Sequence, residues 1–100
     1  MTVLQKNALD KIKKIHVLSR KLNGKTKSRH EKKLLDLMRK HIDEIEDLHK
    51  TKNAHFLVET GDLIILCFEI LLENDCSIDE TVELCFNRYN NKIKQLLKKS

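Results

Sequence analysis

The sequence predicts an all-α protein, a four-helix antiparallel bundle, and three observations support this prediction. The chain has no Pro and only two Gly, so it lacks the residues that shape hairpins and sandwiches. Lys, Leu, Ile and Glu are abundant, as is typical of helical proteins. Four segments repeat apolar residues at three- and four-residue steps, and short polar connections join them. A chain of 100 residues suits one domain, so residues 1–100 are expected to form a single helical unit.

The first helix is predicted from about Val3 to Leu22 because apolar residues recur there on one face. It should end at Gly24, since Asn followed by Gly is a common C-terminal cap. Residues 25–28 are then predicted to form a basic loop.

The second helix is predicted to begin near Arg29. Its apolar stripe consists of Leu35, Met38, Ile42, Ile45 and Leu48. On a helical wheel Glu44 lies at the edge of this stripe with Asp47 beside it. Side chains at that edge are placed to reach a pocket shared with a neighbouring helix.

The third helix is predicted from Ala54 to about Asn74 and is apolar on most sides from Leu63 onward. Such a helix packs against several neighbours, and a bundle this small would not cover all of its apolar surface. We therefore expect a homo-oligomer, either a dimer or a tetramer. Gly61 inside this helix indicates either a close backbone approach or simple tolerance of a weak helix former.

The fourth helix is predicted to begin at a capping box, Ser77 to Glu80, in which the Ser hydroxyl accepts from the Glu backbone. Its apolar seam consists of Val82, Phe86, Tyr89, Ile93 and Leu96 or Leu97. Lys residues at its end complement the helix dipole.

The net charge of +5 conceals a strong segregation of charge. Residues 1–40 carry 13 Lys and Arg against 3 Asp and Glu, whereas residues 41–86 carry 2 Lys against 12 acids. This pattern suits an acidic metal pocket with basic groups that attract phosphate, and it also suits basic helices that touch nucleic acid. Nucleic-acid binding is the weaker interpretation, because no helix-turn-helix signature or aromatic platform is present.

The cysteines and the apolar runs indicate a soluble, cytoplasmic protein. Three Cys without a C-x-x-C pair predict neither a disulfide framework nor a cysteine zinc site. Cys67 and Cys85 lie among apolar neighbours and are expected to be small core residues. The N-terminus lacks the apolar core of a signal peptide, and the run from Leu63 to Leu72 is too short to span a bilayer.

Two acidic turns are the most informative motifs. Residues 43–47 read Asp-Glu-Ile-Glu-Asp, and residues 59–62 read Glu-Thr-Gly-Asp. Helical residues three apart are neighbours, so Glu44 and Asp47 on one helix could converge with Glu59 and Asp62 on the next. Two such charges about 5 Å apart repel by roughly 3 kcal/mol at an effective dielectric near 20, so the cluster needs a cation or a raised pKa. Oxygen ligands of this kind favour Mg²⁺, with Mn²⁺ possible.

The order and spacing of these turns resemble the MazG-like superfamily of all-α nucleoside triphosphate pyrophosphohydrolases, which includes dimeric dUTPases and phosphoribosyl-ATP pyrophosphatases. The family has E-E-x-x-E on the second helix and E-x-x-D at the start of the third, and residues 43–47 and 59–62 match these positions. Residues 77–80 look like the family's entry to its last helix, and residues 86–92 look like its Asn-rich and basic continuation. The resemblance covers nearly the whole chain.

The resemblance implies a Mg²⁺-dependent enzyme that cleaves a (d)NTP or related nucleotide to the monophosphate and pyrophosphate. The implied metal ligands are Glu44, Asp47, Glu59 and Asp62. The implied catalytic residues are Asp43 and Glu44, with Asp43 orienting a water at the edge of the site. The implied phosphate-binding residues are Arg88, Asn90 and Lys92 from the last helix, together with Lys27 or Arg29 from the basic loop.

Several other interpretations remain open at the level of sequence. Asp replaces Glu at positions 43 and 47, and the shorter side chains favour a non-catalytic helical module of the same fold that binds a nucleotide or a protein. Glu59, Asp62, Glu69 and Glu73 share one stripe and could form a solvated acidic face. The five His residues form no H-E-x-x-H motif and are expected to be exposed or half-buried.

Overall fold

A computed structural model describes residues 2–99 of the chain. It contains four α-helices, which are α1 (Lys6–Asn23), α2 (Lys27–Lys50), α3 (Phe56–Glu73) and α4 (Ile78–Lys99). No strand occurs in this part of the chain, so the predicted all-α class and the number of helices are confirmed. None of these four helices is long and apolar enough to cross a membrane.

The helix ends follow from local capping chemistry. Gly24 caps α1 with φ of 140°, a value that residues with a side chain rarely adopt, so the predicted end is confirmed. Thr26 Oγ1 accepts from the Arg29 backbone N–H at 3.2 Å, which starts α2 two residues earlier than predicted. At the start of α4, the Glu80 backbone N–H donates to Ser77 Oγ at 3.2 Å, as the capping box requires.

The packed part of the molecule is formed by α1, α2 and α3. A five-residue turn, 51–55, folds α3 back along α2, and these two helices share the largest interface, on which α1 also packs. The buried apolar side chains are Ile12 of α1, Leu34 of α2, Leu66 of α3 and Ile78 of α4. Leu34 is completely inaccessible to solvent, so it marks the centre of this small core.

Helix α4 approaches only α3 among the described helices. Ile78 at its start is buried, but most residues after Val82 are exposed. The large apolar side chains left exposed along it are Leu84, Phe86, Tyr89, Ile93, Leu96 and Leu97. The periodicity therefore predicts the helix correctly, whereas residues 2–99 leave most of its apolar seam exposed.

Charged and polar side chains occupy part of the core, which corrects two expectations. His30 is fully buried, although the histidines are predicted to be exposed or half-buried. Burial lowers the pKa of His30, and the neighbouring His16 lowers it further. Glu69 is also buried and the Glu73 side chain is 5% exposed, so a solvated acidic face is wrong for this half of the α3 stripe. The stripe points inward because α1 and α2 both pack against α3.

The three Cys residues are free thiols. Cys67 is half-buried, and burial raises the pKa of its thiol. Cys85 is exposed, so its predicted place in the core is wrong. It lies on the part of α4 that no other described helix covers.

Replacing Gly61 with Ala is expected to stabilise the protein by up to about 1 kcal/mol, because Gly is a poor helix former and costs more backbone entropy on folding. A Cβ at this position meets no atom within 4 Å, so simple tolerance explains the glycine. Urea denaturation measures the change. Gly24→Ala is the matched control and should destabilise, since a Cβ there lies 3.1 Å from Arg29 Cβ and the φ is positive.

Candidate metal centre

A cluster of polar side chains lies between the second half of α2 and the first half of α3. His41, Glu44 and Glu59 each offer one ligand atom, and these atoms lie within 4.8 Å of one another. Helices α2 and α3 are antiparallel on either side of the turn at residues 51–55. A residue of α2 therefore lies opposite the residue of α3 that is about equally far from this turn. The antiparallel hairpin thereby brings the two acidic turns of the sequence together. We call His41, Glu44, Glu59 and Asp62 the hairpin centre.

Glu59 contacts a histidine through each of its two carboxylate oxygens. His41 Nε2 lies 3.5 Å from Glu59 Oε2 and 3.8 Å from Asp62 Oδ2. On the other side, His55 Nε2 lies 3.5 Å from Glu59 Oε1. The Glu59 side chain is 15% exposed, whereas Asp62 is 50% exposed. The centre is therefore closed at Glu59 and open to solvent at Asp62.

The electrostatics of Glu59 indicate a need for a positive charge. Its Oε2 atom is buried and has no hydrogen-bond partner among the described residues. The neighbouring Glu44 carboxyl group raises the pKa of Glu59, first as a hydrogen-bonding group and then by its charge, and burial raises this pKa as well, against an opposing effect of His41. Two carboxylates at such short range are tolerated when a proton or a cation lies between them.

His41 is held in the tautomer that a metal site needs. Its Nδ1 lies 2.8 Å from the Leu37 carbonyl oxygen, which can only accept, so Nδ1 carries the proton. In the neutral ring the lone pair is then on Nε2, which faces Glu59 and Asp62. A backbone carbonyl that fixes a ligating histidine in this way is common in metalloproteins.

The donor set fits a divalent cation. Carboxylate oxygens from Glu44, Glu59 and Asp62 suit Mg²⁺ or Mn²⁺, and an imidazole nitrogen favours Mn²⁺ over Mg²⁺. The buried, unpartnered Glu59 Oε2 is the atom that such an ion would satisfy. His41 is absent from the ligands that the sequence predicts. The signal for it is its position three residues before Glu44, on the same helical face.

The structure separates the predicted acidic residues into two groups. Glu44, Glu59 and Asp62 lie in the hairpin centre, whereas Asp43 and Asp47 are exposed and are not part of it. Asp43 is turned by about 100° from Glu44 around the helix, and Asp47 lies about 60° from Glu44 on the side opposite His41. The cluster thus forms on the His41 side of Glu44.

The predicted phosphate-binding residues are remote from the hairpin centre within one chain. Arg88, Asn90 and Lys92 belong to α4, and α4 does not approach α2 within residues 2–99. Arg88 and Lys92 instead border a shallow depression on α4 beside Tyr89. Arg29 precedes Glu44 by 15 residues, a distance of about 22 Å along the helix axis.

Comparison with known proteins leaves the family open. The chain matches no model of a known protein family, no curated protein and no solved structure. Its resemblance to the MazG-like superfamily therefore stays a prediction that rests on the motif residues. The hairpin centre is an observation of the structure and does not depend on that resemblance.

Proposed function

We propose that this protein is a divalent-metal-dependent nucleotide pyrophosphohydrolase, which cleaves a (d)NTP or related nucleotide to the monophosphate and pyrophosphate. The observation that supports the proposal is the buried Glu59 Oε2, which has no hydrogen-bond partner within residues 2–99 and faces His41 where the two acidic turns meet. The same turns are the positions at which the sequence resembles the MazG-like enzymes.

In this proposal Glu44, Glu59 and Asp62 hold Mg²⁺ or Mn²⁺, and His41 supplies a nitrogen donor. When bound, the cation would engage phosphate oxygens and make a water molecule more acidic. The half-exposed Asp62 leaves the centre open to a phosphate chain from the solvent side. The resemblance implies that Asp43 orients the attacking water, but its exposed side chain lies about 100° around α2 from Glu44 and outside the hairpin centre, so this proposal does not assign that role to it.

The phosphate clamps would come from a second copy of the chain. The exposed apolar seam of α4 includes Phe86 and Ile93, and burying it on another subunit would be favourable. We propose that a homodimer forms through this seam and carries Arg88 and Lys92 towards the hairpin centre of the other subunit. Sedimentation equilibrium is expected to give twice the chain mass, and Phe86→Asp should shift it to the monomer. A wild-type monomer at micromolar concentration would contradict the dimer.

A non-catalytic nucleotide- or protein-binding module is the second candidate. The position of Asp47 favours it, because one of the four ligands that the resemblance implies is exposed and outside the cluster. The Asp47 side chain is also one methylene shorter than the Glu at this position of the family motif, so it reaches less far towards the cluster. This candidate predicts metal binding at the hairpin centre without turnover.

Product analysis distinguishes these functions. Wild-type protein is incubated with a panel of NTPs and dNTPs in Mg²⁺, in Mn²⁺ and in a chelator, and products are separated by ion-exchange chromatography. We expect equimolar monophosphate and pyrophosphate with either metal and none with the chelator. Diphosphate and phosphate would contradict cleavage between the α- and β-phosphates. Absence of turnover on every nucleotide would favour the binding module.

A further inference from the structure

A second polar cluster lies in the core between α1, α2 and α3. Three of its buried atoms have no hydrogen-bond partner among the described residues, and these are His16 Nδ1, His30 Nε2 and Glu69 Oε1. The three residues each offer one ligand atom, and these atoms lie within 4.8 Å of one another. His30 is completely buried and Glu69 is 3% exposed. We call His16, His30 and Glu69 the core triad.

We propose that the core triad binds one transition-metal ion of the Zn²⁺ type, in a site separate from the hairpin centre. Two imidazole nitrogens and one carboxylate oxygen form a donor set that zinc sites use, with a fourth position left for a second carboxylate oxygen or a water. One ion would satisfy the three unpartnered atoms together. It would also join the three helices that form the packed part of the fold.

The charges around the core triad support a bound cation. The Glu73 side chain is 5% exposed, is paired with Arg20 and has its Oε2 atom 3.9 Å from His30 Nε2, so the described ion pair of the Arg20 guanidinium is with Glu73 and not with Glu69. The distance between His16 Nδ1 and Glu69 Oε1 is 3.5 Å, but these two atoms form no hydrogen bond with each other. A buried carboxylate without a full partner is costly, and metal coordination is one of the ways in which proteins compensate that cost.

The groups behind the two imidazoles are those that orient metal ligands. His16 Nε2 lies 3.1 Å from Glu73 Oε2, so a carboxylate backs the ring on the side away from Nδ1. The Asn23 amide nitrogen Nδ2 lies 3.3 Å from His30 Nδ1 and donates to Ser19 Oγ at 3.2 Å, and in this amide orientation His30 Nδ1 accepts and Nε2 carries the proton of the neutral ring. Rotating this amide by half a turn lets Nδ1–H donate to the amide oxygen while the Ser hydroxyl donates as well. That tautomer leaves the lone pair on His30 Nε2.

The core triad and the hairpin centre share no residue. His30 and His41 are 11 residues apart on α2, a separation of about 16 Å along the helix. Each site can therefore be removed without changing a ligand of the other. The proposal does not depend on nucleotide hydrolysis.

Zinc binding in a variant that lacks the hairpin centre tests the proposal. Chelator-treated Glu59→Gln protein is titrated with Zn²⁺ by calorimetry, and its thermal unfolding is followed with and without Zn²⁺. We expect one equivalent of Zn²⁺ to bind and to raise the unfolding temperature. Adding His16→Gln or Glu69→Gln should weaken binding at least about tenfold, as loss of a group that supports a metal does.

The controls keep the result independent of folding and of thiol ligands. His49→Gln replaces an exposed histidine outside both sites and should leave Zn²⁺ affinity unchanged. Circular dichroism should show the same helical content in every variant, and His16 is chosen because it is less buried than His30.

Failure of Glu59→Gln protein to bind Zn²⁺ would overturn the proposal. Unchanged affinity after His16→Gln and Glu69→Gln would overturn it as well, because groups outside the core triad, such as the exposed thiols, would then bind the Zn²⁺.

Discussion

Replacing Glu59 with Gln is expected to reduce the proposed metal-dependent nucleotide hydrolysis at least about a hundredfold, since even groups that only support a metal ligand contribute 10- to 100-fold. Glu59 belongs to the hairpin centre, and its carboxylate oxygens lie 3.5 Å from His41 Nε2 and 3.5 Å from His55 Nε2. Glutamine keeps the shape of the side chain but loses the charge that a cation needs. The rate of pyrophosphate release in Mg²⁺ and in Mn²⁺ measures the effect, and Glu44→Gln should behave in the same way.

Without metal, the Glu59→Gln protein should be at least as stable as the wild-type protein. The raised pKa of Glu59 means that the folded state binds the proton more tightly than the unfolded state. Stability therefore falls as the pH rises through the interval between the unfolded and folded pKa values, and glutamine removes this loss. Thermal unfolding in chelator at neutral pH checks the expectation. Lost activity together with a lower unfolding temperature would indicate a structural role for Glu59.

Glu46→Gln is the matched control for these variants. It makes the same chemical change on α2, the helix that carries Glu44, but Glu46 is 68% exposed and its described partner is Lys50, one turn away. Exposed pairs of this kind contribute little to stability. Hydrolysis by this variant should equal that of the wild type. An equal loss of activity in Glu46→Gln and Glu59→Gln would mean that overall charge, and not the hairpin centre, determines the rate.

Replacing Leu34 with Ala is expected to reduce the free energy of unfolding by about 2–5 kcal/mol, the range for buried leucines. Leu34 is completely buried on α2, in the small core that α1 and α3 complete. The lost isopropyl group leaves a cavity that such a core cannot easily close. Urea denaturation of the metal-free protein gives the change, because the midpoint falls while the slope is preserved.

Leu35→Ala is the control for the core substitution. Leu35 is 43% exposed, so the same change should cost less than about 1 kcal/mol. A difference between adjacent leucines tests which face of α2 is turned inward. Equal destabilisation by the two substitutions would contradict the orientation of α2 described above.

Much of the fold can be predicted from local patterns in the sequence. Apolar steps locate all four helices, and Gly24 and the Ser77 capping box locate two of their ends. The start of α2 is missed because Thr26, which caps it, lies in a loop whose basic residues dominate the pattern. The uncovered seam of α4 cannot be predicted, because periodicity shows that a helix has an apolar face but not what packs against it.

The candidate site can be predicted only in part. The carboxylates at 44, 59 and 62 stand out through their spacing, whereas His41 joins them because of the rotation of α2 against α3, which the sequence of neither helix specifies. The same rotation leaves Asp47 outside. The burial of His30 and Glu69 depends on three helices meeting, so a stripe that resembles a solvated face on one helix becomes part of the core.

Direct measurement of Mn²⁺ binding tests the central claim, that the hairpin centre holds a divalent cation. Free Mn²⁺ is counted by electron paramagnetic resonance during titration of chelator-treated protein, and wild type is compared with Glu59→Gln and Glu46→Gln. We predict that wild type and Glu46→Gln bind one equivalent more than Glu59→Gln. Identical Mn²⁺ binding by wild type and Glu59→Gln would contradict a metal centre at this position.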